Sequence, residues 1–335
     1  MESGIILSDL PTRVPVGEHL SSVLRQVEAA QRAGLTYVMI GQHFLFPGSR
    51  WLQPVPLLAR LSAELGPQVK LATSVMLAPL YHPVVLAEEL ATLDIVSGGR
   101  LVVGLGTGYM PEEFEALGVP FDERVPRFEE CIALLEALWT QDAVTFDGRF
   151  WQLQDAPVHL KPVQQPRPPL WIGAMRKPGV LRAARLGDAW LITPTATPED
   201  VVSLVGLFAE ERERLGKPLL PQPLRREIVV GADRNDALAR AAGMGREWYE
   251  RMVAIASPGF GAGQRLATID DFVRTGFVTG TAAECAARIR TIAAAVPVDP
   301  VITRANWPGM TTDAAVAYIE SLGEELVPAL REIPL

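Results

Sequence analysis

Eight short apolar runs rich in β-branched residues, separated by longer segments of helical period, constrain the fold of this chain more than any other feature. The runs fall at residues 4–8, 35–40, 69–76, 101–105, 170–173, 188–192, 225–231 and 299–304. Helical spacing of apolar residues fills the intervals: Glu18–Ala33, Pro54–Leu65, Pro83–Val96, Arg124–Trp139, Pro178–Leu186, Pro198–Leu215, Asn235–Ile255, Thr281–Ala294 and Thr311–Leu330. Strands that alternate with helices pair in parallel through helical crossovers, and Pro at the start of several helical segments suits a first helical turn. Eight such units predict an α/β fold, a single (β/α)8 TIM barrel over residues 1–335. Two insertions are expected. The Pro-rich segment 157–169, with the hairpin TFDGRFWQL before it, precedes strand five, and the Gly-rich SPGFGAGQRL at 257–266 precedes strand eight.

Composition narrows the partners. Lys and Arg total 31 against 39 Asp and Glu, a formal charge of −8, which argues against a protein that tracks nucleic-acid phosphates. Although 48% of residues are hydrophobic, no uncharged apolar run reaches the roughly 18 residues of a membrane span. MESGIILSDLPTRVP lacks a basic segment followed by an apolar one, so it reads as a strand and not a signal peptide. Only two cysteines occur, too few for a disulfide framework, and a reducing compartment, the cytoplasm, is expected. Cys131, within RFEECIALLEALW, reads as a buried structural thiol. The four histidines are scattered, and no metal site is expected.

A barrel of this kind places its site at the C-terminal strand ends. There the chain offers GQHFLFPGSRWLQP, APLYHP, GTGYMPEEF, AMRKPG, TPT and ANWPGM: aromatic surface, small residues and few ionisable groups. A flat, largely apolar ligand matches these better than a sugar or polyphosphate. Gly104, Gly106 and Gly108 invite comparison with the dinucleotide fingerprint, but its sixth position is Tyr109 and the motif sits on the fourth strand unit. These glycines instead let a cofactor lie against the backbone, a tight turn being the competing explanation. WIGAMRKPG leaves free backbone N–H groups flanked by Arg176 and Lys177 at a helix start, in outline an anion site for a cofactor phosphate, unless the pair is merely solvated. His43 and His82 both follow strands; His82-Pro83 reads as a helix cap, and His43, beside Gln42, as either a proton carrier or a structural group. Asp94 and Arg100 are expected to pair and shape the turn into strand four.

At these residues the chain resembles the bacterial luciferase-like superfamily of flavin- and deazaflavin-dependent oxidoreductases. The likeness runs through AGLTYVMIGQHF, LATSVMLAPLYHPVVLAEELATLDIVSGGRLVVGLGTGYMPEEFEALGVPF, PPLWIGAMRKPGVLRAARLGDAWLI and GTAAECAARIR. The resemblance implies a bulge with a cis peptide at Ser74–Val75 beneath the flavin ring. It implies flavin contacts at Ala72, Thr73, Ser74, Val75, Gly106, Thr107 and Tyr109. Phosphate contacts are implied at Gly173, Ala174, Met175 and Arg176, with Thr193 as a further ligand. The chain also departs from the pattern: where luciferases carry Glu-His-His-Phe, with the first His catalytic, it reads Gly41, Gln42, His43, Phe44, so light emission is not expected. His43 and Gln42 are the catalytic candidates.

The function implied is a monooxygenase that takes reduced FMN from a separate flavin reductase and uses O2 to oxygenate a small, largely apolar organic substrate. Phe44, Phe46, Trp51, Tyr81, Trp307 and Met310 are candidates for the substrate wall. Two rivals remain: a deazaflavin-dependent dehydrogenase or reductase, and a non-catalytic flavin-binding protein, which Gln42 would favour. Similar barrels dimerise through helices that correspond to RLSAEL and VVLAEELATL, so a homodimer is expected.

Overall fold

The structure, a computed structural model, describes every residue except 8, 9, 12–14, 195, 256–272, 274, 275 and 335. Eight parallel strands close into a barrel: β1 (Ser3–Leu7), β2 (Tyr37–Ile40), β3 (Lys70–Thr73), β4 (Leu101–Gly106), β5 (Leu170–Ala174), β6 (Ala189–Ile192), β7 (Gln222–Arg225) and β8 (Val298–Arg304). Each pairs with the next, and β8 returns to β1 with Ser3 opposite Val301, so the barrel has no open edge.

Side-chain alternation along the strands builds two cores. Along β4, Leu101, Val103 and Leu105 face outward into the large cluster that packs strands against helices, whereas Val102 faces inward. There it joins Ile6, Tyr37, Met39, Trp171 and Ile302 to fill the barrel. Inward position Gly104 is held for a different reason: a Cβ there would lie 2.0 Å from the Thr73 carbonyl oxygen. Thr73 Oγ1 uses that proximity, donating to Gly104 O at 2.7 Å and accepting from Gly104 N–H at 2.8 Å.

Helices fill the crossovers close to their expected limits, with Pro83–Val96 at the positions read from sequence and capping boxes at Thr197 and Thr281. The last segment is the exception. Thr312–Ser321 gives way to a π turn over Leu322–Leu326 and a short helix Val327–Arg331, where Gly323 packs against Ala33 and Pro328 supplies no N–H.

The insertion before β5 is a two-stranded hairpin, Ala143–Asp147 against Gln152–Pro157. The Glu130 carboxylate accepts from the backbone N–H groups of Arg149, Phe150 and Trp151, which ties the hairpin to the helix Arg124–Thr140. The Gly-rich 257–266 lies outside the described residues.

Two expectations are corrected. Strand seven was read at 225–231, but β7 ends at Arg225, and Glu227–Val230 leaves the barrel to pair in parallel with Phe277–Gly280. Arg226 makes the break: its guanidinium donates to the carbonyls of Thr193 and Ala196 beyond β6, so the chain turns outward. Asp94 and Arg100 do not pair with each other. Arg100 donates to five carbonyls, those of Ser62, Leu65, Gly66, Val69 and Ser97, while Asp94 accepts from the backbone and side chain of Gln164. Among the described residues no helix is long and apolar enough to cross a membrane.

Candidate active site

The strands deliver their C-terminal ends to one face of the barrel, where a cavity of ≈ 260 Å³ opens. Its floor begins where β3 stops. The Ser74–Val75 peptide is cis, as the resemblance implied, and Met76–Leu77 then pairs with Leu105 and Gly106. Val75 thereby lays its isopropyl group across two strand ends. A Cβ at Gly106 would stand 2.6 Å from Val75 Cγ2, and one at Gly173 would stand 3.1 Å from Val75 Cγ1. Because neither residue has a side chain, the floor over β4 and β5 is flat and apolar.

One wall carries a histidine and the groups that hold it. His43, at the exit of β2, has Nδ1 at 2.9 Å from Glu113 Oε1, and the same oxygen accepts from Phe44 N–H at 2.7 Å. Glu113 is 1% exposed and acts as the acceptor toward both, so Nδ1 carries the ring hydrogen and Nε2 is left as the basic nitrogen. The Tyr109 hydroxyl lies 3.3 Å from Nε2. Burial raises the Tyr109 phenol well above its ordinary range and Glu113 adds to the shift, with Arg225 opposing it, so Tyr109 stays a hydroxyl donor. Phe46 and Trp51 close around the imidazole, each with ring centroids 4.6 Å from it. The result is a Glu113–His43–Tyr109 chain opening on the cavity.

Gln42 plays a different part. Its Nε2 donates to Gln53 Oε1 at 2.8 Å and to the Tyr81 oxygen at 2.5 Å, and its Oε1 accepts from Leu77 N–H at 2.9 Å. With both ends of the amide engaged and only 3% of the residue exposed, Gln42 fastens the loop after β2 to the segment after β3. His82 caps the helix Pro83–Val96, accepting from Val84 N–H.

Most of the expected residues converge. Gln42, His43, Ser74, Val75, Gly106, Thr107, Tyr109, Gly173, Ala174, Met175 and Thr193 all line the cavity. Ala72, Thr73 and Arg176 do not: Ala72 is in the barrel interior, Thr73 is the latch to Gly104, and Arg176 is exposed at the start of the helix Lys177–Leu186. Of the aromatic candidates, Phe46 and Trp51 reach the lining. Phe44 and Tyr81 stand behind it, and Trp307 and Met310 pack in a separate cluster with Phe277. Sequence reasoning missed four residues that bear on the chemistry here: Glu113, which fixes His43, and Arg225, Trp248 and Arg304 in the lining. Among the described residues no group of three or more His, Cys, Asp or Glu is placed to hold a metal.

These residues fit a flavin-type ring. Val75, seated over two strand ends bare of side chains, offers an apolar face to a planar body, and the helix Lys177–Leu186 starts beside Ala174 with no side chain capping its first N–H groups, a setting that suits a phosphate.

This barrel has known counterparts. Residues 1–299 match the luciferase-like monooxygenase family, and the chain belongs to it. An F420-dependent glucose-6-phosphate dehydrogenase of Beutenbergia cavernae is 32% identical over 227 residues, 65% of this chain and 66% of its own length. An FMNH(2)-dependent dimethylsulfone monooxygenase of Pseudomonas putida is 29% identical over 210 residues, 61% of this chain and 56% of its own. The crystal structure of monooxygenase RslO1 from Streptomyces bottropensis superposes with a TM-score of 0.83 at 25% identity, covering 98% of this chain and 99% of that one. The chain spans about half to two thirds of the length of the curated relatives it matches.

Proposed function

We propose that the protein is a flavin-dependent oxidoreductase, a monooxygenase that uses reduced FMN and O2 to oxygenate a small organic substrate. The observation that carries this reading is the chain from buried Glu113 through His43 to Tyr109, which faces the cavity above the Val75 floor. When bound, the reduced flavin supplies the redox chemistry together with O2. The protein's own residues would orient and shield: Val75 would support the ring, and Phe46 and Trp51, packed around the imidazole, would limit its access to water. His43 Nε2 takes or returns a proton at the reacting atom, with Glu113 holding the ring in place and the Tyr109 hydroxyl as a second donor. Gly104 and Gly106 serve strand contacts and the floor, not a dinucleotide turn, which supports delivery of reduced flavin by a separate reductase.

The 32% identity to an F420-dependent dehydrogenase supports a second reading, a deazaflavin-dependent hydride transfer in which His43 takes the proton of a substrate hydroxyl. Anaerobic titration with reduced FMN and, in parallel, reduced F420, followed by tryptophan fluorescence, separates the two. The monooxygenase reading expects tight, selective binding of reduced FMN. Selective F420 binding would replace it with the second reading. Exposed Val85, Ile95 and Val96 on the helix Pro83–Val96 support pairing of two chains through this face. A sedimentation mass of one 36.4 kDa chain would remove that part of the proposal.

A further inference from the structure

The cavity lining at the ends of β7 and β8 is charged. Arg225, the last residue of β7, and Arg304, the last of β8, both line the cavity, and Glu227 faces the pair. Glu227 Oε1 lies 2.8 Å from Arg225 Nη2 and 3.8 Å from Arg304 Nε. A guanidinium carries five N–H donors and keeps its charge in proteins. Among the described residues, Arg225 Nε is buried without a hydrogen-bond partner, as is Glu227 Oε2. Burial pushes the Arg225 guanidinium below its ordinary value; Glu227 opposes this and the Arg304 charge adds to it. Glu227 meets the charge at Nη2 alone, and the unused Nε–H is a buried donor whose desolvation a further acceptor would offset.

We propose that Arg225, backed by Arg304, is the anchor for an anionic group of the substrate, a carboxylate on an otherwise apolar body. This rests on the functional reading above and narrows its substrate class. The fork of a guanidinium matches the two oxygens of a carboxylate, and Phe46, Trp51 and Trp248 offer apolar surface to the rest of the molecule. The position also suits the chemistry. Arg225 is near enough for its charge to act on the Tyr109 phenol, and the Tyr109 hydroxyl is 3.3 Å from His43 Nε2. A substrate held by its carboxylate at β7 and β8 presents its other carbons to the imidazole across the Val75 floor.

The test uses benzoate and hexanoate against their neutral amides, benzamide and hexanamide, titrated calorimetrically into the full-length protein at fixed ionic strength, with and without saturating reduced FMN under anaerobic conditions. The proposal expects each carboxylate to bind at least tenfold more tightly than its amide. Arg225→Met should abolish that preference while leaving amide binding and reduced-FMN affinity within about twofold. Glu227→Gln, which removes the competing carboxylate, should tighten carboxylate binding severalfold, and it keeps the proposal testable if Arg225→Met fails to fold. Equal binding of carboxylate and amide by the wild type would overturn it. So would an Arg225→Met protein that keeps the preference, or one that loses reduced FMN instead, which would assign the arginine to the cofactor. A protein that binds no flavin but still prefers carboxylates would sink the functional reading and leave the anion site standing.

Discussion

At the scale of single residues, burial decides which side chains can do chemistry and which cannot. Both cysteines are buried, and burial pushes each thiol up to about 12. The reactive form is the thiolate, so at pH 8 neither should react with a maleimide in the native protein and both should react in urea; rapid native labelling of either would contradict this packing. Gly104→Ala should destabilise the fold by roughly 1–3 kcal/mol or more through overpacking against the Thr73 carbonyl, seen as a lowered Tm. An unchanged Tm would mean that β3 and β4 are not held this close. How legible the site was varies with residue type. Gly106 was readable from the glycines that follow strand four, whereas Val75 and Gly173 came from the family resemblance, and all three line the cavity. Glu113 was not: in PEEF it stands beside the exposed Glu112, and nothing local says which of the two carboxylates turns inward to His43.

At the scale of elements, the strand boundaries carried the largest error and hid the most. The run RREIVVG is apolar and β-branched, and Glu227–Val230 is a buried strand, but it belongs to a second, two-stranded sheet with Phe277–Gly280. Local pattern reports that a segment is buried and extended, not which partner it pairs with. Reading Arg225 as the first residue of a strand put it at the closed end of the barrel, whereas as the last residue of β7 it reaches the cavity. The connections between elements also depend on charges that a pattern does not reveal. Arg167, before β5, donates to Asp188 at 2.6 Å ahead of β6. Burial alone would raise the Asp188 carboxyl, but the hydrogen bonds and charge of Arg167 outweigh it and hold the group below its ordinary 3.8. A carboxyl depressed in the folded state stabilises the protein above its unfolded value, and that contribution is lost as pH falls through the folded value. Arg167→Met should therefore cost roughly 3 kcal/mol at neutral pH, with the gap to wild type closing as the pH is taken below 3.8. A gap that is independent of pH in urea denaturation would assign the loss to packing instead.

At the scale of the whole molecule, the periodic alternation of apolar runs was sufficient for the barrel, because closure of eight parallel strands with helices outside leaves few other arrangements. The same closure brings residues far apart in the chain to one face, from Gln42 after β2 to Arg304 at the end of β8. That convergence is the part no local pattern carries, and it explains why only Phe46 and Trp51 of the expected aromatic wall reach the cavity and why its arginines were not foreseen. The central claim is that this strand-end cavity holds the flavin. Thr107 lines it just beyond β4 and belongs to none of the core clusters, so Thr107→Trp would fill the ring's place without touching the outer core. The measurement that tests the claim most directly is the anaerobic affinity of this variant for reduced FMN, read beside its Tm. The account predicts at least a tenfold loss of affinity with the Tm preserved. Unchanged affinity in a folded variant would contradict it and place any flavin elsewhere on the protein.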